Sequence, residues 1–437
     1  MGNTMAKPVT TLIDELYDWT GEHDPFEHQR KTAAFLSEHK KGFCFNEQGT
    51  GKTASAIWAA DFLMKQNILH RVLVICPLSI MDSAWQEDIQ TFAPHRTSDI
   101  AHGDKAKREK ILFSSARFVM INYDGVKIVE DSIKKAGFDL IIVDEATHYK
   151  NSRSQRWKVL NRIVEKTGCG LWMMTGTPAA QSPLDAYGLA KLVDPISVPR
   201  FFTGFRDQVM QQVSRFTWVP KPSAVRRVHA ALQPAIRFTK EQCMDLPDML
   251  YTKRRVALTP QQKKYYDKLK REMVLELTGD SVTAVNAAVL KEVIDETEHK
   301  VLIFVPFKHT IQILTDRLRK DGISTAIIEG AVSATKRADT FKRFQEEENP
   351  RALVIQPQSA AHGVTLTAAN TVVWWSPTPS LETYAQANAR VHRAGQKNRC
   401  TVIQLEGSVA ERRMYALLDK KINVHAQIIN LYQELLD

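Results

Sequence analysis

The sequence predicts an α/β protein with two parallel-sheet lobes in tandem, a mostly helical bridging segment and a C-terminal helix. Two series of short apolar runs support this prediction, and a long stretch without such runs separates them. The runs are rich in β-branched or aromatic residues and apolar throughout, as is typical of parallel strands buried on both faces. Mixed segments with helical spacing lie between the runs, and such alternation favours α/β sheets.

Each run predicts one strand. The first series comprises GFCF (42–45), VLVIC (72–76), FVMIN (118–122), DLIIVDEA (139–146) and LWMMTG (171–176). The second series comprises VLIFV (301–305), STAIIEG (324–330), ALVIQ (352–356), TVVWW (371–375) and TVIQL (401–405).

Four segments outside these runs are also assigned. A helix is predicted over 306–321, where Ile311, Leu314 and Leu318 share one side. Residues 196–255 are rich in proline and cations without a strand series, so they are predicted to be irregular and short-helical, and 260–298 to be mostly helical. The tail over 408–435 is predicted to be one helix or a helix pair with an apolar stripe that includes Met414, Leu417, Leu418 and Ile422.

These elements predict four regions along the chain. An N-terminal lobe occupies 1–195, a bridging segment 196–298, a C-terminal lobe 299–410 and a helical brace 411–437. The formal net charge of +10 favours a polyanionic partner, with nucleic acid ahead of membrane. The sequence has no apolar run of membrane-spanning length and no signal-peptide core, so we expect an intracellular protein without a membrane partner. Five scattered cysteines without a C-x-x-C indicate neither a zinc site nor a disulfide framework.

Residues 46–53, NEQGTGKT, form a candidate phosphate loop between a predicted strand and a predicted helix at 53–64. Gly49 and Gly51 let backbone amides approach phosphate oxygens closely because they have no Cβ. Lys52 can reach the β- and γ-phosphates, and the Thr53 hydroxyl can bind Mg²⁺. The helix N-terminus would face the anion. The stretch therefore predicts nucleotide binding, although the usual pattern has glycine where Asn46 stands.

The run IIVDEAT ends in two carboxylates at the carboxyl end of a predicted strand, which is the edge where open α/β sheets bind ligands. Asp144 is expected to hold Mg²⁺, and Glu145 to polarise the attacking water. Taken alone, the pair could also be a solvated strand end. Thr175 and Thr177 follow the next strand, where small hydroxyl residues can contact the acidic pair.

The segment QANARVHRAGQ (386–396) in the second series places Gln386, Arg390 and Arg393 at helical spacing, which predicts that two guanidinium groups share a face. A permanently charged planar fork suits a phosphoryl transition state. An exposed basic helix face is the ordinary alternative for such a pattern.

Together these motifs resemble those of a superfamily-two helicase-fold motor of the Swi/Snf family of DNA translocases. The resemblance covers roughly residues 25 to 425. The matching segments are FEHQRKTAAFL (26–36), EQGTGKT, VICPLSIMDSAWQEDI (74–89), DEATHYKN (144–151), MTGTPAAQSPLDAYGLAKLVDP, SAAHGVTLTAAN (359–370) and RVHRAGQ. The resemblance implies two RecA-like lobes, with ATP and Mg²⁺ clamped between the phosphate loop and acidic pair on one side and Arg390 and Arg393 on the other.

The resemblance also implies roles for individual residues. ATP-binding positions are Gln29, which would read adenine, together with Asn46, Glu47, Gln48, Gly49, Thr50, Gly51, Lys52, Thr53 and Gln386. Thr175, Thr177 and Gly363 would couple the nucleotide to movement, and Lys150, Asn151, Arg153 and Arg156 would contact the DNA backbone. Thr147 stands where the family usually has histidine, which leaves the details of coupling open.

The expected function is ATP-dependent translocation on double-stranded DNA, remodelling protein–DNA complexes or branched DNA. The motor is expected to be a monomer, of a compact bacterial or phage-like kind, acting in the cytoplasm or nucleoid, or in the nucleus if eukaryotic. Three alternatives stay open: a helicase that separates DNA or RNA strands, a motor subunit of a restriction or defence complex, and a catalytically silent DNA-binding scaffold.

Overall fold

A computed structural model describes residues 12–19, 23–179, 181–215, 217–243, 246–256, 280–330, 332–360 and 364–433. The chain divides into two compact units. Unit 1 contains Met1–Cys243 and Val424–Asp437, and unit 2 contains Met244–Asn423. Unit 1 therefore extends beyond residue 195, where the sequence predicts the end of the first lobe. Among the described residues, no helix is both long enough and apolar enough to cross a membrane.

A parallel sheet forms the centre of unit 1 and contains seven strands within the described residues, in the order β3-β4-β2-β5-β6-β1-β9. The strands are β1 Lys41–Cys44, β2 Val72–Cys76, β3 Ser98–Ile100, β4 Phe118–Asn122, β5 Leu140–Val143, β6 Gly170–Met174 and β9 Ala235–Ile236. The five predicted apolar runs all form strands here, because burial on both faces requires continuous apolar sequence. A separate antiparallel hairpin joins β7 Met210–Ser214 to β8 Thr217–Pro220.

Helices cover both faces of this sheet, and two apolar clusters of unit 1 pack against opposite faces. The α-helices of unit 1 are Leu12–Leu16, Glu27–Glu38, Lys52–Lys65, Glu87–Phe92, Lys105–Leu112, Tyr123–Ile128, Glu130–Lys135, Gln155–Thr167, Ala186–Val193, Phe202–Val209, Ala224–Ala231 and Lys240–Cys243. Alternate residues of β1 point to opposite clusters, with Phe43 in one and Cys44 in the other.

A second parallel sheet forms unit 2, and within the described residues it contains six strands in the order β10-β15-β14-β11-β13-β12. The strands are β10 Met249–Arg255, β11 Lys300–Phe304, β12 Thr325–Ile328, β13 Ala352–Ile355, β14 Ala369–Trp374 and β15 Cys400–Glu406. The helices that begin in unit 2 are Asp280–Asp295, Lys308–Lys320, Ala334–Glu346, Leu381–Asn388 and Val409–Gln433. The predicted buried side of 306–321 is confirmed, since Ile311, Leu314 and Leu318 are fully buried. Two α/β lobes with parallel sheets, the predicted fold class, are thus present.

The structure differs from the sequence prediction between residues 196 and 255. β7 to β10 lie in this stretch. β9 pairs with β1 in the sheet of unit 1, and β10 pairs with β15 in the sheet of unit 2. β9 has only two residues, and β10 lies at a sheet edge, where Leu250, Tyr251, Lys253 and Arg255 are exposed. Neither segment has the apolar run that marks a central strand. Of the predicted mostly helical segment 260–298, residues 280–295 form a helix, and residues 260–279 lie outside the described residues.

The final helix buries only part of the predicted apolar stripe. Met414 and Leu417 are exposed, whereas Tyr415 and Leu418 are buried, with Tyr415 donating from its hydroxyl to the Trp374 carbonyl. Residues three apart lie on one helix face, so burial of Tyr415 and Leu418 turns Met414 and Leu417 outward.

Candidate nucleotide site

Three loops that carry the predicted chemistry leave the same edge of the unit 1 sheet. β5, β6 and β1 are neighbours and run parallel, so their carboxyl ends meet at one edge. The acidic pair follows β5, the Thr175-Gly176-Thr177 turn follows β6, and the phosphate loop follows β1. The turn therefore lies between the acidic pair and the phosphate loop.

The phosphate loop has the backbone shape that its glycines predict. Gly49 and Gly51 have φ angles of 87° and 77°, a region that favours glycine. A Cβ on Gly51 would lie 2.0 Å from Gln29 Nε2, so this position also lacks space for a side chain. Gly51 is the N-cap of the helix Lys52–Lys65 and makes no side-chain cap, which leaves the N–H groups of the first helical turn for an anion.

The Lys52 ammonium is held inside the loop. Its Nζ donates to the carbonyl oxygens of Asn46 at 2.9 Å and Glu47 at 3.1 Å. A cation fixed at the centre of a turn lined by backbone amides is suited to a polyphosphate.

The Gln29 side chain contacts the phosphate loop from the preceding helix Glu27–Glu38. Its Oε1 accepts from the Phe26 backbone N–H at 2.9 Å, and its Nε2 lies 3.4 Å from the Thr50 carbonyl. The neighbouring His28 Nε2 lies 2.8 Å from the same carbonyl, and burial lowers the pKa of His28. The helix that contains Gln29 is thus hydrogen-bonded to the loop at Thr50.

The Asn46 side chain is fully buried and takes part in two hydrogen bonds away from the loop glycines. Its Nδ2 donates to Thr32 Oγ1 at 2.8 Å, and its Oδ1 accepts from the Phe238 N–H at 2.9 Å. Asn46 therefore connects the loop to the helix Glu27–Glu38 and to the segment after β9. A glycine at this position would lose both hydrogen bonds, which gives a physical reason for the departure from the usual pattern.

Arg237 is a site residue that the sequence analysis missed. It is only 2% exposed, and its Nη1 donates to the Phe45 carbonyl at 2.6 Å. Its Nη2 forms a 3.0 Å salt bridge with Glu47, whose other carboxylate oxygen accepts from the Lys240 N–H. The Glu47 side chain is thus directed to the segment 237–240, and only its backbone contributes to the Lys52 contact.

Asp144 and Glu145 follow β5 directly, as predicted. Asp144 Oδ2 accepts from the indole Nε1 of Trp85 at 3.0 Å, and Oδ1 accepts from the Glu145 N–H at 2.9 Å. Burial raises the pKa of Asp144, while the Lys52 ammonium and these two donors oppose that rise. The carboxylate is therefore oriented by fixed donors and lies within the electrostatic influence of Lys52.

Glu145 has the left-handed conformation, with φ 48° and ψ 56°. This backbone region is unusual for a residue with a Cβ, and strained residues of this kind cluster at functional sites. The left-handed conformation of Glu145 turns the chain sharply from β5 into the short 3-10 helix Ala146–Tyr149. In this helix Thr147 is buried and His148 is exposed.

The turn after β6 packs against the phosphate loop. A Cβ on Gly176 would lie 3.3 Å from the Gln48 backbone nitrogen and 3.4 Å from the Asn46 carbonyl oxygen. Thr175 and Thr177 are both buried, and Thr175 Oγ1 accepts from the Thr177 N–H at 3.2 Å. The two threonines predicted to couple the nucleotide to movement thus lie in the turn that packs against the phosphate loop. Gly363, the third residue of that prediction, lies outside the described residues.

Tyr123 and Trp85 are two further residues in contact with the acidic residue Asp144. The Tyr123 hydroxyl donates to the Asp144 carbonyl at 2.7 Å, and burial raises the pKa of Tyr123 so that it stays protonated. Trp85 is fully buried. A signal for Tyr123 was available, because it follows β4 at the same sheet edge.

The four predicted DNA-binding residues have different partners. Lys150 Nζ lies 3.4 Å from Asp185, and Arg156 donates twice to Asp124 Oδ1, at 2.7 and 3.1 Å. Asn151 Oδ1 accepts from the Arg153 N–H, and the Arg153 guanidinium lies 5.7 Å from the centre of the Phe202 ring. The Arg156 guanidinium also lies 5.5 Å from the centre of the Tyr123 ring. Arg156 is therefore in contact with Tyr123, whose hydroxyl donates to the Asp144 carbonyl.

In unit 2, the helix that carries Gln386 ends at Asn388, so Arg390 and Arg393 lie in the following turns. The prediction that they share a helix face is therefore wrong. The backbone leaves the helix because the Arg390 carbonyl accepts from the Leu366 N–H and the Asn388 side chain accepts from Trp374 Nε1. Gln386 and Arg390 are each 6% exposed, and Arg393 Nη1 contacts the Val364 carbonyl at 3.4 Å.

Asp61 anchors the helix that begins at Lys52. This fully buried carboxylate accepts from the Tyr17 hydroxyl at 2.8 Å and from Arg96 Nε at 2.5 Å, and it lies 2.9 Å from His95 Nε2. Burial raises the pKa of Asp61, but the hydrogen bonds from Arg96 and Tyr17 outweigh it and lower the pKa below its usual value. The network fixes the far end of the helix whose first turn faces the phosphate loop.

Two family models match the chain. Residues 28–301 match the SNF2-related domain, and residues 285–395 match the helicase conserved C-terminal domain. The first match covers most of unit 1 and continues into unit 2.

Full-length relatives and solved structures also align with the chain. A Caenorhabditis elegans homolog of the SWI/SNF-related matrix-associated actin-dependent regulator of chromatin subfamily A-like protein 1 is 25% identical over 98% of this chain and 63% of its own length. An uncharacterized ATP-dependent helicase of Mycoplasma pneumoniae is 24% identical over 93% of this chain and 43% of its own length. The Sulfolobus solfataricus SWI2/SNF2 ATPase core in complex with dsDNA is 21% identical, with 94% of each chain covered and a TM-score of 0.48. The chain thus spans less than two thirds of the length of these two relatives.

Proposed function

Because the chain belongs to the SNF2-related family, we propose that it is a DNA-stimulated ATPase that moves along double-stranded DNA. In this proposal the free energy of ATP hydrolysis drives steps along a duplex, and the steps remodel protein–DNA complexes or branched DNA. The observation that carries the proposal is the meeting of the phosphate loop, the Thr175–Thr177 turn and the acidic pair at one edge of the unit 1 sheet.

The phosphate loop supplies the binding site for the triphosphate. The N–H groups around Gly49 and Gly51 and at the start of the helix Lys52–Lys65 would donate to phosphate oxygens. Lys52 would exchange its present contacts with the Asn46 and Glu47 carbonyls for contacts with the β- and γ-phosphates. Gln29 lies against Thr50 beside this loop, in support of its proposed role in recognising the adenine ring.

The donor set next to the loop fits magnesium. Mg²⁺ bound with a nucleotide needs only one or two protein ligands beside phosphate oxygens and water, so the Thr53 hydroxyl and the Asp144 carboxylate suffice. When bound, Mg²⁺ would neutralise the charge that develops on the phosphate oxygens. Trp85 and the Glu145 N–H hold the Asp144 carboxylate in one orientation. Glu145 would orient and polarise the attacking water by accepting its proton.

Two arginines of the second family-model match are assigned to the proposed reaction from the sequence motif that contains them. We assign Arg390 and Arg393 to the transition state, where a planar cation stabilises charge on the transferring phosphoryl group. Gln386 is assigned to the nucleotide, and Thr175, Thr177 and Gly363 to the communication between nucleotide and movement. These assignments follow the order of the motifs in the sequence.

DNA is proposed to lie along residues 150–156 of unit 1. This segment, called the loop 150–156, includes the first two residues of the helix Gln155–Thr167. Phosphate contacts from Lys150, Asn151, Arg153 and Arg156 would position the duplex without reading its sequence. The link from Arg156 to the Tyr123 ring, and from the Tyr123 hydroxyl to Asp144, offers a path by which DNA on this loop alters the acidic pair.

ATP hydrolysis and translocation can be tested separately. The rate of phosphate release should rise more with duplex or branched DNA than with single-stranded DNA or RNA. The same protein should displace a third strand from a duplex that carries a triplex, in an ATP-dependent manner. Active ATPase without triplex displacement would exclude translocation, and greater stimulation by single-stranded RNA would favour the strand-separating alternative.

A further inference from the structure

Unit 1 contains a cavity next to Ser152 and Arg153. Its volume is about 370 Å³, and Arg153, Tyr187, Lys191, Arg200, Phe201 and Phe202 are among its lining residues. We call this cavity the aromatic pocket. The volume falls within the range of small-ligand sites, which is roughly 300–1,000 Å³.

Aromatic rings form the walls of the aromatic pocket. The Tyr187 and Phe202 rings meet edge to face with centres 5.5 Å apart, and Trp157 donates from its indole to the Gly188 carbonyl at 2.7 Å. Phe201 stands beside them with 67% of its surface exposed. An exposed ring next to fixed rings presents an apolar face that a planar ligand would cover.

Three cations surround the rings. The Arg153 guanidinium lies 5.7 Å from the Phe202 ring centre, the Lys191 ammonium 5.2 Å from that of Tyr187, and the Arg200 guanidinium 5.4 Å from that of Phe201. Within the described part of the chain, none of these three cations forms an ion pair with a carboxylate. Their neighbours Lys150 and Arg156 do form such pairs, so the pocket retains uncompensated positive charge.

The pocket is preformed by hydrogen bonds. The Tyr187 hydroxyl donates to the Arg200 carbonyl at 2.9 Å, and Lys191 Nζ donates both to the Tyr187 hydroxyl and to the same carbonyl. These bonds hold the chain before Phe201 against the helix Ala186–Val193. The backbone that carries the Arg200 guanidinium and the Phe201 ring, which lie 5.4 Å apart, is thereby fixed.

The pocket combines flat apolar ring faces with cations that have no carboxylate partner in the described part of the chain. A nucleotide has the complementary groups, a flat base and a charged phosphate. Bases stack on aromatic side chains in a sequence-tolerant way, and nearby cations bind the phosphates on either side. A base within a duplex is covered by its stacked neighbours, so a pocket of this kind accepts a base only after it has left the helix. We propose that the aromatic pocket binds one unpaired nucleotide of the DNA that lies on the loop 150–156.

This inference rests on the proposed function, because Arg153 belongs both to the aromatic pocket and to the loop assigned to the DNA backbone. It narrows the preferred substrate to DNA with unpaired nucleotides next to duplex, as occurs at forks, bulges and junctions. The duplex would be held by backbone contacts alone, and the pocket would add affinity only where a nucleotide is free of its partner.

The test compares two duplexes of the same sequence, one fully paired and one with a single unpaired 2-aminopurine nucleotide as a bulge. The wild-type protein should bind the bulged duplex at least about fivefold more tightly, since stacking of one base on an aromatic side chain gives that gain or more. Stacking in the pocket should also quench the 2-aminopurine fluorescence.

Phe201→Ala should abolish both the preference and the quenching, and Phe201→Tyr should retain both because the ring remains. Phe113→Ala is the matched control, since Phe113 is also an exposed phenylalanine of unit 1, with 55% of its surface accessible, and lies outside the pocket. It should keep the wild-type preference. Because Phe201 is exposed, its replacement by alanine leaves the apolar core intact.

Equal affinity of the wild-type protein for the two duplexes would overturn this inference, as would an unchanged preference in Phe201→Ala. Either result together with duplex-stimulated ATPase activity would leave the proposed function standing. Absence of any stimulation by duplex DNA would instead overturn the proposed function itself.

Discussion

Arg237 and Glu47 form a salt bridge of 3.0 Å next to the phosphate loop although 190 residues separate them in the sequence. The same guanidinium donates to the Phe45 carbonyl at the end of β1. The loop that is expected to bind ATP is therefore braced by a segment beyond the predicted first lobe.

Arg237→Lys should weaken the loop although it keeps the charge. An ammonium cannot replace the fork that reaches both Phe45 and Glu47, so one charge-assisted hydrogen bond is lost, at a cost of about 1.5–3 kcal/mol. We expect a lower free energy of unfolding in urea and weaker binding of a non-hydrolysable ATP analogue. Arg206→Lys, whose guanidinium pairs with the adjacent Asp207 and lies over the Trp218 ring, serves as the control and should leave the affinity for the analogue unchanged. Wild-type affinity in Arg237→Lys would show that the brace does not shape the nucleotide site.

Lys52→Ala should abolish both nucleotide binding and hydrolysis. The ammonium is the cation at the centre of the phosphate loop, and two loop carbonyls already position it. Binding of a fluorescent ATP analogue and DNA-stimulated phosphate release measure the two effects. Lys105→Ala, on an exposed helix of the same unit, is the control. Substantial remaining turnover in Lys52→Ala would contradict the assignment of the phosphate loop.

Glu145→Gln should bind ATP and DNA but turn over slowly. The amide cannot accept the proton of the attacking water, and loss of a general base typically costs about 10²–10⁴-fold in rate. Single-turnover hydrolysis, measured next to equilibrium binding of ATP and of duplex DNA, separates chemistry from binding. Were ATP binding lost instead, Glu145 would be a binding residue and its catalytic role would have to be withdrawn.

Tyr123→Phe should reduce kcat of the DNA-stimulated reaction by roughly fivefold, as expected for loss of about 1 kcal/mol from one hydrogen bond. The change removes the donor to the Asp144 carbonyl and leaves the ring under Arg156 in place. KM for ATP should stay near the wild-type value, because the phosphate loop is untouched. Tyr415→Phe is a matched control, since it deletes another buried hydroxyl that donates to a backbone carbonyl. An equal loss of kcat in both variants would indicate general destabilisation rather than positioning of Asp144.

Asp61→Asn should destabilise the fold by about 3–5 kcal/mol at neutral pH, because it leaves Arg96 without its carboxylate partner. The folded protein holds the pKa of Asp61 below its value of about 3.9 in the unfolded chain. The stabilisation is therefore complete above about pH 4 and is lost as the pH falls through the lower, folded-state pKa. Urea unfolding of both proteins should show a difference that shrinks at acidic pH. A difference that is the same at every pH would mean that the charge of Asp61 contributes nothing.

The apolar runs predicted the central strands because a strand buried on both faces can contain little else. Short or charged edge strands such as β3, β9 and β10 have no such constraint, so the sequence did not indicate them. Local motifs likewise indicated Lys52 and the pair Asp144 and Glu145, because each motif lies within one short turn after a strand. Arg237 has no local pattern, since its role comes from a contact between distant segments. The helix predicted through Arg393 ends at Asn388 because tertiary contacts of Asn388 and Arg390 take precedence over spacing.

The two-residue strand β9 determines how the chain can be divided. β9 covers one side of β1 through bonds from Phe43 to Pro234 and from Phe45 to Ile236, and Arg237 follows it immediately. A fragment that stops at residue 195 would leave the strand leading into the phosphate loop as an open sheet edge, which is a surface for aggregation. A minimal fragment for nucleotide-binding experiments must therefore continue through Lys240, and a protease cut between residues 195 and 234 would separate the loop from its support.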